Sequence, residues 1–161
     1  MAAAGTGKRL LLSTPLGEIA LSLLPEAAPA TVAHVERLVA AGAWTGASFY
    51  RSDFVIQFGL HGSGRSAPGG PLKVNESALR TRVSNLRGTA AIAHWDVPDC
   101  GDSEAFISLK ANAHLDAAYG GYCVWARVAD ADAPSWRAID AIAAKIAASG
   151  GTVPVTKAVI V

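Results

Sequence analysis

Short extended runs broken by turn residues, with only two helical stretches among them, constrain this chain more than any single motif does. Leu10 to Ser13 and Glu18 to Leu24 flank Thr14-Pro15-Leu16-Gly17, where Pro15 and Gly17 punctuate a turn. In the second run Ile19, Leu21 and Leu23 alternate with Glu18, Ala20 and Ser22, the period of a strand. Further strand-like runs stand at Phe49 to Gln57, Thr89 to Ala93, Ala105 to Leu109, Tyr122 to Val128 and Thr156 to Val161. Helical spacing is confined to Ala27 to Ala41 and Pro134 to Ala148. The first carries Val32, Val35, Leu38 and Val39, with Pro29 in its first turn and Gly42 at its stop. The second carries Trp136, Ile139, Ala143 and Ile146 on one face, with Gly150 beyond its end. One early and one late helix do not supply the crossovers of a parallel array. The pattern predicts a mainly β, mostly antiparallel closed sheet, with the apolar last run paired inside it.

The 161 residues suit one domain, since a chain near this size buries about 68–70% of its unfolded surface. With 51% hydrophobic and 17% charged residues it reads as globular. A net charge of +1, with acids and bases interspersed, argues against a nucleic-acid or anionic-membrane partner. No apolar run approaches the roughly 18 residues of a membrane span. Residues 1–7 are expected to be a frayed tail and not a secretory signal, leaving residues 8–161 as a single domain in a cytoplasmic setting. In that setting Cys100 and Cys123 are expected to be reduced thiols. A redox-regulated alternative would need their sulfurs within bonding distance.

Phe49-Tyr50-Arg51-Ser52-Asp53-Phe54-Val55-Ile56-Gln57 is the most informative segment. It sets an arginine and a glutamine on a strand-turn-strand among large apolar side chains. A guanidinium stripped of water there needs a partner or a task. Ser103-Glu104-Ala105-Phe106-Ile107 supplies a second aromatic on a strand. Arg51 read alone is also consistent with a surface cation, and Phe54, Phe106 and Leu115 with ordinary core residues.

Taken in order, these segments resemble the cyclophilins, a family of peptidyl-prolyl cis-trans isomerases, from about Lys8 to Val161. Thr14 to Ile19, Leu24 to Pro29 and Thr31-Val32 resemble the family's first hairpin and helix entry. Phe49-Tyr50-Arg51 is similar to its Phe-His-Arg, and Phe54-Val55-Ile56-Gln57 to its Phe-Met-x-Gln. Asn75-Glu76, Arg87 to Ala93, Ser103 to Ile107, His114-Leu115-Asp116 and Tyr122-Cys123-Val124-Trp125 follow in the family's order. The resemblance implies a closed eight-stranded antiparallel β-barrel capped by two α-helices. It implies rotation of Xaa-Pro bonds in protein substrates, assisting folding, by a monomer that uses no cofactor and no metal. Arg51 would be the catalytic donor. Phe54, Val55, Phe106, Leu115 and Tyr122 would line a proline cup, and Gln57 would hold a substrate backbone group. The main chain at Ala93 and His94 would pair with the peptide, while Glu104 near the pocket would favour a neutral or basic residue before proline.

The chain also departs from the family. Only Ser52-Asp53 separates Arg51 from Phe54, where typical members have a longer segment, and Asp53 adds a carboxylate able to pair with Arg51. Glu104 and Ala105 stand where the family has Gln and Phe, and His94 where it has Asn. His114 occupies the place of a tryptophan that animal members use for cyclosporin, so weak cyclosporin binding is expected. These departures favour an alternative in which a catalytically weak module binds Pro-containing segments as a scaffold.

Other signals are discounted. Gly59 to Arg65 lacks the Gly-Lys-Ser/Thr ending of a phosphate loop. Cys100-Gly101-Asp102-Ser103 lacks the strand-turn-helix context of a nucleophile elbow. His34, His61, His94 and His114 lack metal-ligand spacing and are expected at helix surface, loop or groove.

Overall fold

The structure, a computed structural model, describes residues 7–95, 97–99 and 101–161. Residues 1–6 of the expected tail, and Cys100 of the expected thiol pair, lie outside the described residues. The elements are β1 (Arg9–Thr14), β2 (Gly17–Leu23), α1 (Pro29–Ala40), β3 (Ser48–Ser52), β4 (Val55–Gly59), β5 (Thr89–Ile92) and β6 (Ala105–Ser108). After two short 3-10 turns at Ala113–Asp116 and Ala118–Gly120 come β7 (Val124–Arg127), α2 (Ala133–Ser149), β8 (Val153–Pro154) and β9 (Lys157–Ile160). Among the described residues no helix is long and apolar enough to cross a membrane.

One nine-stranded sheet runs in the order β8-β3-β4-β6-β5-β7-β2-β1-β9, every described pairing being antiparallel. The expected closed eight-stranded barrel is corrected: the sheet curls into an open half-barrel whose edges, β8 and β9, do not pair with each other. The cause lies at the entry to the last apolar run. Pro154 has no N–H to donate to a ladder. Val155 turns its N–H to the Ala47 carbonyl on the β3 side, at 2.7 Å, and the next residue, Thr156, donates to Ser13 in β1 at 2.8 Å. The expected run Thr156 to Val161 therefore becomes an edge strand, β9, and not one inside the sheet, while the short β8 before it forms the other edge.

The concave side holds the main core. Trp44, Phe49, Phe58 and Trp125 are fully buried. Phe58 sits 4.9 Å from both Trp44 and Phe49, and Trp44 5.9 Å from Trp125, inside the range of favourable aromatic pairs. Val32, Val35 and Leu38 of α1, with Ile139, Ile142 and Ile146 of α2, close the same core. On α2 Trp136 and Ala143, expected on the apolar face, sit at its half-buried margin. The N-terminus of α1 has no cap of its own. Instead Glu76 accepts from the Ala30 and Thr31 N–H groups and from the Thr31 hydroxyl, which suits the positive end of the helix dipole. His34 was expected on the helix surface, but it is 3% exposed, and its Nε2 donates to the Asp102 carbonyl at 2.7 Å.

Strand parity gives the sheet a second apolar face. Ile56, Phe58, Ala90, Ile92, Ala105 and Ile107 enter the main core, whereas Val55, Ala91 and Phe106, with Leu115, form a separate cluster on the convex side. The walls of that cluster are tied down by polar anchors. Asn112 donates from its amide to the Phe54 carbonyl at 3.0 Å, and Asn85 likewise to the Tyr122 carbonyl at 3.0 Å. Asp116 accepts from the Ser84 hydroxyl and from the Asn85 backbone and amide N–H groups, both at 2.8 Å. Burial pushes the Asp116 carboxyl up, but these donors outweigh it and hold its pKa below the ordinary carboxylate value.

A group whose pKa is depressed on folding contributes stability above its unfolded value and loses it as pH falls. Asp116→Asn is therefore expected to cost about 1–2 kcal/mol near neutral pH, or about 2–8 °C in Tm for a domain of this size. The difference from wild type should close below about pH 3.8, the ordinary carboxyl value. Thermal melts across pH check this.

Candidate functional site

β3 and β4 are out of step by one residue. Phe49 pairs with Phe58 and Arg51 with Gln57, so Tyr50 is a bulge between them. In a regular strand Tyr50 and Arg51 would face opposite sides. The bulge lets Phe49 enter the core while both Tyr50 and Arg51 reach the convex face, where they line a cavity of about 480 Å³. Gln57 and Phe106, which both line the cavity, stand opposite each other across β4 and β6, with Ala91 next in the row on β5.

All ten residues singled out from the sequence line this cavity: Arg51, Phe54, Val55, Gln57, Ala93, His94, Glu104, Phe106, Leu115 and Tyr122. Val55, Phe106 and Leu115 are buried, with Phe54, Ala93 and Tyr122 packed against them. The Tyr122 ring meets Phe106 edge-on at 5.6 Å and stacks on His94 at 4.1 Å. Phe54 meets His114 edge-on at 5.3 Å. Both ring nitrogens of His94 face carbonyl oxygens, Nδ1 that of Trp95 at 2.6 Å and Nε2 that of Gly121 at 2.8 Å.

Tyr50, His61, Trp95, Ala118 and Tyr119 also line the cavity, although the sequence reading did not single them out as site residues. Tyr50 had a signal, its place beside Arg51, but only the bulge turns it to this side. Tyr119 adopts φ 50°, the one non-glycine residue with positive φ among those described.

The short turn between β3 and β4 does not separate Arg51 from the cup. The guanidinium carbon lies 5.3 Å from the centre of the Phe54 ring, within cation–π range. Arg51 Nε donates to Asp53 Oδ2 at 2.8 Å, and Nη1 donates to Gln57 Oε1 at 3.0 Å. Asp53 Oδ1 accepts from the Val55 N–H at 3.2 Å, which closes the turn. Glu104 also lines the cavity, and its carboxylate accepts from Ser103 Oγ at 2.7 Å and from the backbone N–H groups of Leu60 and His61 at 2.9 and 3.1 Å. Gly59 leaves the space this requires, since a Cβ there would stand 2.4 Å from Glu104 Oε2. Ser103 spends its hydroxyl on this contact. Cys123 is buried, and burial pushes its thiol pKa up to about 11, which makes it a poor nucleophile.

An apolar cup rimmed by one fixed cation can seat a small aliphatic ring and donate a hydrogen bond to an atom beside it. A family model described as cyclophilin type peptidyl-prolyl cis-trans isomerase/CLD matches residues 9–161. The chain is 34% identical over 119 residues to a peptidyl-prolyl cis-trans isomerase of Arabidopsis thaliana, covering 69% of this chain and 52% of that protein. It is 35% identical over 132 residues to peptidyl-prolyl cis-trans isomerase A of Dickeya dadantii, covering 78% of this chain and 68% of that one. The chain thus spans about half the length of the plant relative and about two thirds of the bacterial one. Its fold is similar to that of a Cryptosporidium parvum cyclophilin solved in the presence of the dipeptide Ala-Pro. The TM-score is 0.78 at 16% identity, over 95% of this chain and 98% of that one. A cyclophilin from Hirschia baltica gives 0.70 at 17% identity, over 94% and 73%. With the family pattern running through every strand and both helices, the chain belongs to the cyclophilin-type peptidyl-prolyl cis-trans isomerases.

Proposed function

We propose that this chain catalyses cis-trans rotation of Xaa-Pro bonds in polypeptides and so assists folding steps limited by that rotation. Rotation about a peptide bond meets a barrier of about 18–20 kcal/mol because it breaks amide resonance. In the twisted transition state the proline nitrogen regains a lone pair and can accept a hydrogen bond, which the planar amide cannot do. A donor aimed at that nitrogen binds the transition state better than the ground state, the condition for catalysis. Arg51 is that donor in this reading. Phe54, Val55, Phe106, Leu115 and Tyr122 hold the proline ring, Gln57 reaches the neighbouring backbone, and the main chain at Ala93 and His94 pairs with the peptide. No covalent step occurs.

The observation that carries this reading is the guanidinium at the rim of the apolar cup. Its Nε and Nη1 are anchored, and among the described hydrogen bonds Nη2 has no protein acceptor. The Asp53 carboxylate on Nε favours the second reading, a weak catalyst that binds Pro-containing segments, because a nearby anion lowers the donor strength of the cation. Both partners are more than two-fifths exposed, so water screens much of that effect.

Exchange NMR on a short Xaa-Pro peptide separates the two. Arg51→Ala is expected to lower the rate by about 10²–10³ while leaving the exposed site folded. Equal, near-background exchange in both proteins would favour the scaffold. Cyclosporin should bind weakly, since His114 offers an imidazole packed on Phe54 where animal members of the family present an indole. A nanomolar dissociation constant by calorimetry would contradict this.

A further inference from the structure

The polar groups behind Arg51 form a chain that can donate in one direction only. The Glu104 carboxylate can only accept, so the Tyr50 hydroxyl, 2.8 Å from its Oε1, must donate to it. The same hydroxyl oxygen is then free to accept from Gln57 Nε2 at 2.9 Å. With its nitrogen turned to Tyr50, Gln57 presents Oε1 to Arg51 Nη1, which can only donate. Rotating the amide by a half-turn would set N–H against N–H at the arginine, so the carboxylate at one end dictates the amide orientation at the other.

We propose that Tyr50 and Glu104 are positioning residues for prolyl isomerisation, locking the Gln57 amide in the orientation that anchors the Arg51 guanidinium. This rests on the catalytic reading of Arg51. Asp53 holds Nε from the turn and the relay holds Nη1 from the strand, so two anchors on neighbouring nitrogens fix the guanidinium plane. That leaves Nη2, which has no protein acceptor among the described hydrogen bonds, as the nitrogen available to donate to a bound peptide. Three further donors and the gap at Gly59 keep Glu104 in place. Burial, reinforced by the Glu104 contact, pushes the Tyr50 hydroxyl well above its ordinary value, so it stays protonated and able to donate at neutral and moderately alkaline pH.

Tyr50→Phe removes the middle of the relay and keeps the ring. It is expected to lower kcat about 10-fold or more with KM within about threefold, since a displaced catalytic group loses rate more than binding. Tyr50→Phe combined with Glu104→Gln should cost no more than Tyr50→Phe alone, because both cut one chain. In ¹⁵N relaxation the Arg51 Nε–H group should become more mobile in Tyr50→Phe, a readout that does not depend on turnover. Wild-type kcat and unchanged Arg51 mobility in a folded Tyr50→Phe, beside strong loss in Arg51→Ala, would overturn the relay alone. Wild-type rates in Arg51→Ala would overturn the catalytic reading itself.

Discussion

One extra residue in β3 decides which side of the sheet carries chemistry. Between Phe49 and Arg51 the ladder advances two residues on one strand and one on its neighbour. Without that offset, a chain placing Phe49 in the core would place Arg51 there too, beneath Trp44 and Phe58, where an unpaired guanidinium is prohibitively costly. With it, the strand serves a packed interior and a polar rim at once. The bulge also brings Tyr50 to the rim, and Tyr50 connects the carboxylate of Glu104, the residue just before β6, to the Gln57 amide of β4.

The second dependence is on strands that are apolar on both faces. A sheet with one wet face would alternate apolar and polar residues. Here Phe106 and Val55 break that alternation, and the loop carrying Leu115 and Tyr122 covers part of the exposed apolar surface without filling it. The cup is therefore a region of sheet that the protein's own chain leaves open. Asn85, Asn112 and Asp116 keep the covering loop at its distance through hydrogen bonds, which are directional, where apolar collapse would close the gap.

Much of this was legible in the sequence. Turn residues and period-two runs located every strand but the two-residue β8, helical spacing and Pro and Gly punctuation located both helices, and the order of short motifs gathered ten of the residues that line the cavity. What stayed hidden was whatever depends on register or on distant partners. A bulge has no composition, so Tyr50 read as a neighbour of Arg51 and not as a member of the site. Glu76 caps a helix 45 residues earlier in the chain, a pairing that no local pattern announces. His34 looked like a surface residue because its acceptor, the Asp102 carbonyl, lies 68 residues away. The last apolar run, Thr156 to Val161, read as a strand and is β9, while the two-residue β8 before it carries no period-two pattern, and only Pro154 marks where the chain changes partners.

That change of partners bears on how the molecule is assembled over time. Residues 153–154 lie against β3 and residues 157–160 against β1, so a stretch of fewer than ten residues touches both margins of the sheet. Until that stretch docks, β1 and β3 each present an unsatisfied edge, and the hairpin of β1 and β2 waits for a segment far along the chain. The short crossing at Val155 and Thr156 thus acts as a clasp that ties the two margins of the sheet to each other.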